Sequence, residues 1–346
     1  MINNKNIRLF FVIFFAGAIL SKPRAVMQYV KNALSLCYNN VIPSLFLFMV
    51  ISNYISAGSF VPVLSKPFRW FSRLMKVEDE HYPAYILLSL VGGFAVAGVL
   101  LKKMTDLGYS CKTTQLLSIS MVGNSFAFCA FAVGSGYLGN FNLGVMIFIS
   151  TAAAGLITAF ILSFFVNYES VGQLDISPHR PSLVESIGDA AKSMLSVCGF
   201  VVVFYCICEV VLLYIDNSAL KAVLCAMTEV TSGALKVSRL THANPTAVCL
   251  CISFLPACTL AQAGYFSQDP RIAKLLFFSR ILHMPVSVLI FSVLKNLFPV
   301  TAAVNAAGSV VVKGYQNSIK ISATLFVLSV IFLCIFDSNK LFTKQR

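Results

Sequence analysis

The chain has 346 residues, of which 58% are hydrophobic, 12% aromatic and only 11% charged, with a mean hydropathy of +0.83. A soluble domain carries about 25% charged residues, which excludes a soluble globular enzyme as the default, together with a disordered chain and a disulfide-stapled secreted module. An all-α polytopic membrane protein remains. The net charge of +13 then reads as topology signals and contacts to anionic lipid headgroups, with no nucleic acid as partner.

A helix needs about 20 apolar residues to cross a bilayer core. In chain order, the first apolar run is 7–20. The residues after it, Ser21-Lys22-Pro23-Arg24, lack a small-x-small cleavage site. An uncleaved leading helix over 1–23 is therefore preferred to a signal peptide. The run 33–55 is interrupted by Asn39, Asn40 and Pro43. Residues 60–75 interleave Phe68, Trp70, Phe71 and Leu74 with Lys66, Arg69 and Arg73, as an interfacial amphipathic helix does. The run 82–101 is uncharged and holds Gly92, Gly93 and Gly98. Lys102 and Lys103 end it and are expected to snorkel to the headgroups.

Residues 113–133 are apolar around a central Gly123-Asn124-Ser125. The run 142–166 has no charge at all. The interval 168–190 is the most polar and reads as a linker. Residues 195–215 carry one charge, Glu209, expected near the interface. Residues 219–235 form a short span with Lys221 and Glu229. Residues 246–265 have Pro256 in the middle, with Thr259 and Gln262 after it. The run 273–297 carries Lys274, Arg280 and Lys295. A last clean run, 319–336, lies within 298–346, which otherwise holds a loop and a basic tail.

Runs 113–133 and 246–265 are poor simple spans. Non-helical backbone at membrane depth is tolerated where it is buried in protein or lines a wet cavity. Both read as broken or re-entrant helices, with a kinked full span as the alternative.

The two halves match each other. Residues 31–37 and 192–198 share four of seven positions. Residues 117–121 resemble 250–254, just before the two breaks, and Ala97-Gly98 and Ser232-Gly233 lie between. This gives two repeats, 24–167 and 191–297, joined by 168–190. If the broken helices do not cross, the crossings are 33–55, 82–103 and 142–166, then 192–215, 218–236 and 273–297. Three is odd, so the repeats are inverted, as in many secondary transporters. The leading and final helices bring the total to about eight. With both termini cytoplasmic, 15 basic residues fall inside and 10 outside, which favours that orientation.

Enzymatic constellations are missing, and no catalytic residue, metal ligand or cofactor is expected. The 11 cysteines form no Cys-x-x-Cys and read as small hydrophobes. Intramembrane ionisable residues are functional candidates by default. Glu229 with Arg280 is the pair to test first, against a purely structural ion pair, and His283 lies one turn from Arg280. The candidate binding set is Asn40, Pro43, Gly93, Asn124, Ser125, Glu229, Thr231, Ser232, Gln262, Arg280 and His283. Tight helix packing through small residues is the competing account of the uncharged members.

These residues resemble a known family. Asn40-Val41-Ile42-Pro43-Ser44-Leu45-Phe46, Gly93-Phe94-Ala95-Val96, Gly123-Asn124-Ser125, Glu229-Val230-Thr231-Ser232-Gly233 and Arg280-Ile281-Leu282-His283 occur in the order seen in YlbJ-like sporulation integral membrane proteins. These belong to the nucleoside-recognition, or gate-domain, superfamily. The resemblance spans about residues 24–297. It implies a multi-pass protein of the cytoplasmic membrane of an endospore-forming bacterium that moves an unknown small polar solute. The alternative is a non-transporting scaffold of spore development; a homo-oligomer is compatible with both. Departures concentrate at the centre. Phe94, Ala95 and Ala97 replace a Gly-Tyr-Pro-x-Gly pattern. Gly123 replaces an asparagine, Pro256-Ala257 a glycine pair, and Leu260 a histidine. Each makes the centre less polar.

Overall fold

The computed structural model describes residues 16–17, 20–56, 60–79, 81–167 and 181–299. The expected leading helix over 1–23 and the final helix and tail of 298–346 lie almost wholly outside these residues. Among the described residues the fold is helical throughout.

The first long helix, α1, is Pro23–Ile55. Pro43 has no N–H to give the Asn39 carbonyl, and its ring crowds that carbonyl. The helix widens there into a π turn over Cys37–Val41, a device common at functional sites. The Ser44 hydroxyl donates to the Asn40 carbonyl at 2.6 Å. The expected interfacial segment is α2 (Val61–Ser65), a 3-10 turn (Lys66–Phe68) and α3 (Arg69–Leu74). It buries Phe71 and Met75 and leaves Trp70 exposed.

Next comes α4 (His81–Asp106), long and apolar enough to span a membrane. A straight helix of that length would be about 39 Å long. Yet the Tyr109 hydroxyl, beyond one end, donates to Asp79 Oδ2, beyond the other, at 2.5 Å. Tyr85 Oη and Lys103 Nζ both reach Ser56, at 3.1 and 2.6 Å. The segment is therefore a hairpin. It turns at Gly93, whose φ of 75° and ψ of −168° suit only glycine. The crossing expected over 82–103 is corrected by this: the three-glycine run bends the chain back. Lys103 also turns inward to Ser56 instead of snorkelling.

Helices α5 (Cys111–Met121) and α6 (Phe128–Tyr137, π-wound) form the first broken helix, and α7 (Phe141–Ser163) closes the half. The second half opens with α8 (Leu183–Leu212), started by a Ser182/Glu185 capping box. The helix thus begins inside the expected linker 168–190. Helices α9 (Ser218–Thr228) and α10 (Val230–Leu240) meet at Glu229, in extended backbone. Lys236 Nζ reaches Cys225 Sγ at 3.1 Å, and a Cβ on Gly233 would lie 2.5 Å from Ala226 Cα. The two arms touch, so the short span expected over 218–236 is a second hairpin. Helices α11 (Pro245–Ser253) and α12 (Ala257–Ser267) form the second broken helix, and α13 (Pro270–Leu297) closes the half.

The pairing is antiparallel. Along α1 and α8, Lys22 Nζ sits 5.7 Å from the Tyr214 ring centroid and Cys37 Sγ reaches the Cys198 carbonyl. Along α7 and α13, His283 Nε2 lies 3.1 Å from the Thr151 carbonyl, and Asn142 and Leu297 share one groove. The broken helices run from end to end. Gln115 and Cys111 contact Asp269 and Arg271 at one end. Ser238 donates to the Tyr137 carbonyl at the other. The bundle thus has a start face, where α1 begins, and a far face. The first hairpin opens on the far face and the second on the start face. The four basic residues of 236–274, counted among the 15 expected inside, divide between the two, Lys236 and Arg239 toward the start face and Arg271 and Lys274 on the far face.

Large apolar side chains stay uncovered on the outside, such as Phe165, Leu195 and Ile281, each 77–78% exposed. Apolar surface of that extent belongs in a lipid environment.

The base of the first hairpin supports one prediction. Burial raises the pKa of Asp79, but hydrogen bonds from His81 and Tyr109 outweigh this and hold it below the usual carboxylate value. A depressed folded-state pKa stabilises the fold above the ordinary carboxylate range and loses that contribution as pH falls through the folded value. Asp79→Asn should therefore cost about 2 kcal/mol at pH 7, read as a lower Tm. The difference from wild type should shrink as pH falls through and below the carboxylate range.

Candidate functional site

Four interruptions of helical backbone converge at mid-bundle: the two hairpin tips and the two helix breaks. Each leaves N–H and C=O groups outside a helical ladder. At the first tip, Gly93 lies so close to Ser125 that a Cβ would sit 3.1 Å from its backbone nitrogen. At the second tip, Glu229 is 1% exposed. Its carboxylate accepts from the backbone N–H of Thr231 at 2.8 Å and Ser232 at 2.7 Å, capping α10. At the first break, Asn124 Nδ2 donates to the Ile252 carbonyl at 3.1 Å, tying the two breaks together.

A cavity of about 30 Å³ lies between these parts, room for about two waters. Asn40, Asn124, Ser125, Glu229, Thr231 and Gln262 line it, six of the residues the sequence singles out. Gln262 donates Nε2 to Cys258 Sγ at 3.2 Å, and its Oε1 has no partner. Phe94, Phe128, Val197 and Val201 supply apolar walls. Pro43 shapes the π turn beside the cavity, Gly93 forms the tip, and Ser232 gives only its backbone to Glu229.

Arg280 and His283 stand elsewhere. They line a second cavity of about 20 Å³ together with Gly123, Asn124 and Thr151. The Arg280 guanidinium donates to the Val122 carbonyl at 3.3 Å. The expected Glu229–Arg280 pair does not form: the carboxylate is taken up by the start of α10 and the guanidinium by the end of α5. Glu209, expected to face the interface, is instead paired with Lys236 at 2.5 Å, linking α8 to the second hairpin. Among the described residues, no group of His, Cys, Asp and Glu is arranged to hold a metal ion.

Sequence reasoning passed over Val197 and Val201 because they are apolar. A signal existed: the match of 31–37 to 192–198 carries Asn40 onto Val201. The same match pairs Cys37 with Cys198, and these two meet. No known protein family, characterised protein or solved structure matches the chain.

Proposed function

We propose that this chain is a multi-pass protein of the bacterial cytoplasmic membrane, of the gate-domain kind, that moves a small polar solute through the cavity between its hairpins. One observation carries the reading: two hairpins, opening on opposite faces, bring their tips to two helix breaks around a shared cavity lined by the six polar residues named above. Secondary transporters with inverted repeats bind solutes at discontinuous helices near mid-membrane. Six segments then cross among the described residues: α1, α5 with α6, α7, α8, α11 with α12, and α13. The inverted repeat is supported by the antiparallel contacts Cys37–Cys198 and Thr151–His283, in which corresponding parts of the halves meet.

Orientation follows from charge. The far face carries Lys66, Arg69, Arg73, Lys76, Lys112, Lys192, Arg271 and Lys274. The start face carries Lys22, Arg24, Lys31, Lys221, Arg239 and Lys295. The far face is therefore cytoplasmic by the positive-inside rule. Crossings at 7–20 and 319–336 would then place both termini in the cytoplasm.

The Glu229 carboxylate edge and Gln262 Oε1 offer acceptors at the central cavity, and the Asn40 amide and Thr231 hydroxyl offer donors as well. They fit a solute that both donates and accepts hydrogen bonds. Because the cavity is far smaller than a metabolite, binding requires a hairpin to move. Uptake into proteoliposomes, with a panel of small polar metabolites that includes nucleosides, tests the reading. At least one solute should accumulate above empty vesicles, and Asn124→Ala should cut that rate about tenfold or more at normal protein level. Rates equal to empty vesicles for every solute, with a stable partner recovered by crosslinking, would favour a spore-development scaffold. The small, largely apolar-walled cavity is the observation on that side.

A further inference from the structure

The second cavity poses a charge problem of its own. Arg280 is 3% exposed, and a guanidinium does not lose its proton in a protein. Among the described residues no carboxylate pairs with it, and its Nε–H has no partner. An uncompensated buried charge is strongly destabilising, so such charges are found paired. Its one hydrogen bond, to the Val122 carbonyl, supplies a partial charge only.

The described residues thus leave the charge of Arg280 without a counter-charge, which a bound anion would supply. The wall beside Arg280 suits it: Gly123 and Asn124 lie in the break between α5 and α6. Their backbone N–H groups lie outside any helical ladder. His283 gives Nε2 to the Thr151 carbonyl, which leaves Nδ1 an acceptor, so it closes the wall without holding the ion. Thr151 and Ile252 complete the enclosure.

We infer that this cavity binds one small inorganic anion, of the size of chloride, held by the Arg280 guanidinium against the first helix break. The volume of about 20 Å³ admits about one such particle, which excludes a phosphate or a carboxylate of a larger solute. The site adjoins the central cavity through Asn124, which lines both. A bound anion would fix the Arg280–Val122 contact and with it the geometry of the break. The inference does not depend on solute transport.

The test is binding of radioactive chloride to the purified full-length protein in nanodiscs, with no other solute present. Saturable binding of one ion per chain is expected, displaced by bromide and not by gluconate. Arg280→Gln should weaken it about tenfold or more. Absence of saturable binding by the folded wild-type protein would overturn the inference, as would undiminished binding by a folded Arg280→Gln variant. If that variant does not fold, crystals of the wild-type protein grown in bromide decide. An anomalous peak beside Arg280 supports the site, and its absence there removes it. Chloride binding without any solute uptake leaves this site standing and removes only the transport reading.

Discussion

Gly233→Leu is expected to abolish function and to lower stability by about 3 kcal/mol. A Cβ at this position would already lie 2.5 Å from Ala226 Cα and 2.9 Å from the Cys225 carbonyl carbon. Both obstacles are backbone, so no rotamer change relieves the clash. The arms α9 and α10 must separate, and separation pulls Glu229 out of the cavity wall. It also strains the Lys236–Glu209 pair, which ties the second arm to α8. Gly233→Ala should show the same effect in smaller measure. Thermal unfolding in detergent and uptake into vesicles read the two consequences separately.

Glu229→Ala is expected to remove solute uptake and to cost about 2 kcal/mol of stability. Two parts of the loss can be told apart. The carboxylate accepts two backbone N–H groups that are buried where the second hairpin turns, and alanine leaves both unpaired. It also supplies the one carboxylate at the central cavity. Glu229→Gln keeps one acceptor for the α10 start but removes the charge. It should therefore recover much of the Tm while uptake stays low. Recovery of both together would mean that Glu229 acts only as a helix cap.

Much of this arrangement is readable from residue order, and the rest is hidden for identifiable reasons. The two breaks are legible because Gly123-Asn124-Ser125 and Pro256 interrupt apolar runs, and only special backbone tolerates them there. Glu229 and Arg280 are legible as costly buried charges. The hairpins are not. Apolar length and composition are the same for a span and for a chain that enters and leaves by one face. In residues 81–106 the difference rests on Gly93 at φ 75° and on the Asp79–Tyr109 bond 30 residues apart. In residues 218–240 it rests on Glu229 adopting extended backbone, where its carboxylate can cap its own helix. Assigning those runs as crossings, and the broken runs as re-entrant, exchanges the two roles. In the topology proposed above each half has three crossings as well, so the parity argument for inversion rests there on different segments. The Glu229–Arg280 pair fails for a related reason: each charge finds a nearby helix end before it finds the other.

Side-specific labelling tests the central claim, that the two hairpins enter from opposite faces. Single cysteines at Lys76 and Lys112 bracket the first hairpin, and those at Asn217 and His242 bracket the second. They are placed in a protein whose exposed Cys111 is changed to serine. A membrane-impermeant maleimide is then applied to intact cells and to inverted vesicles. Lys76→Cys and Lys112→Cys should react together in inverted vesicles only, and Asn217→Cys and His242→Cys together in intact cells only. Reaction of all four from one side, or of the two members of either pair from opposite sides, would contradict the account.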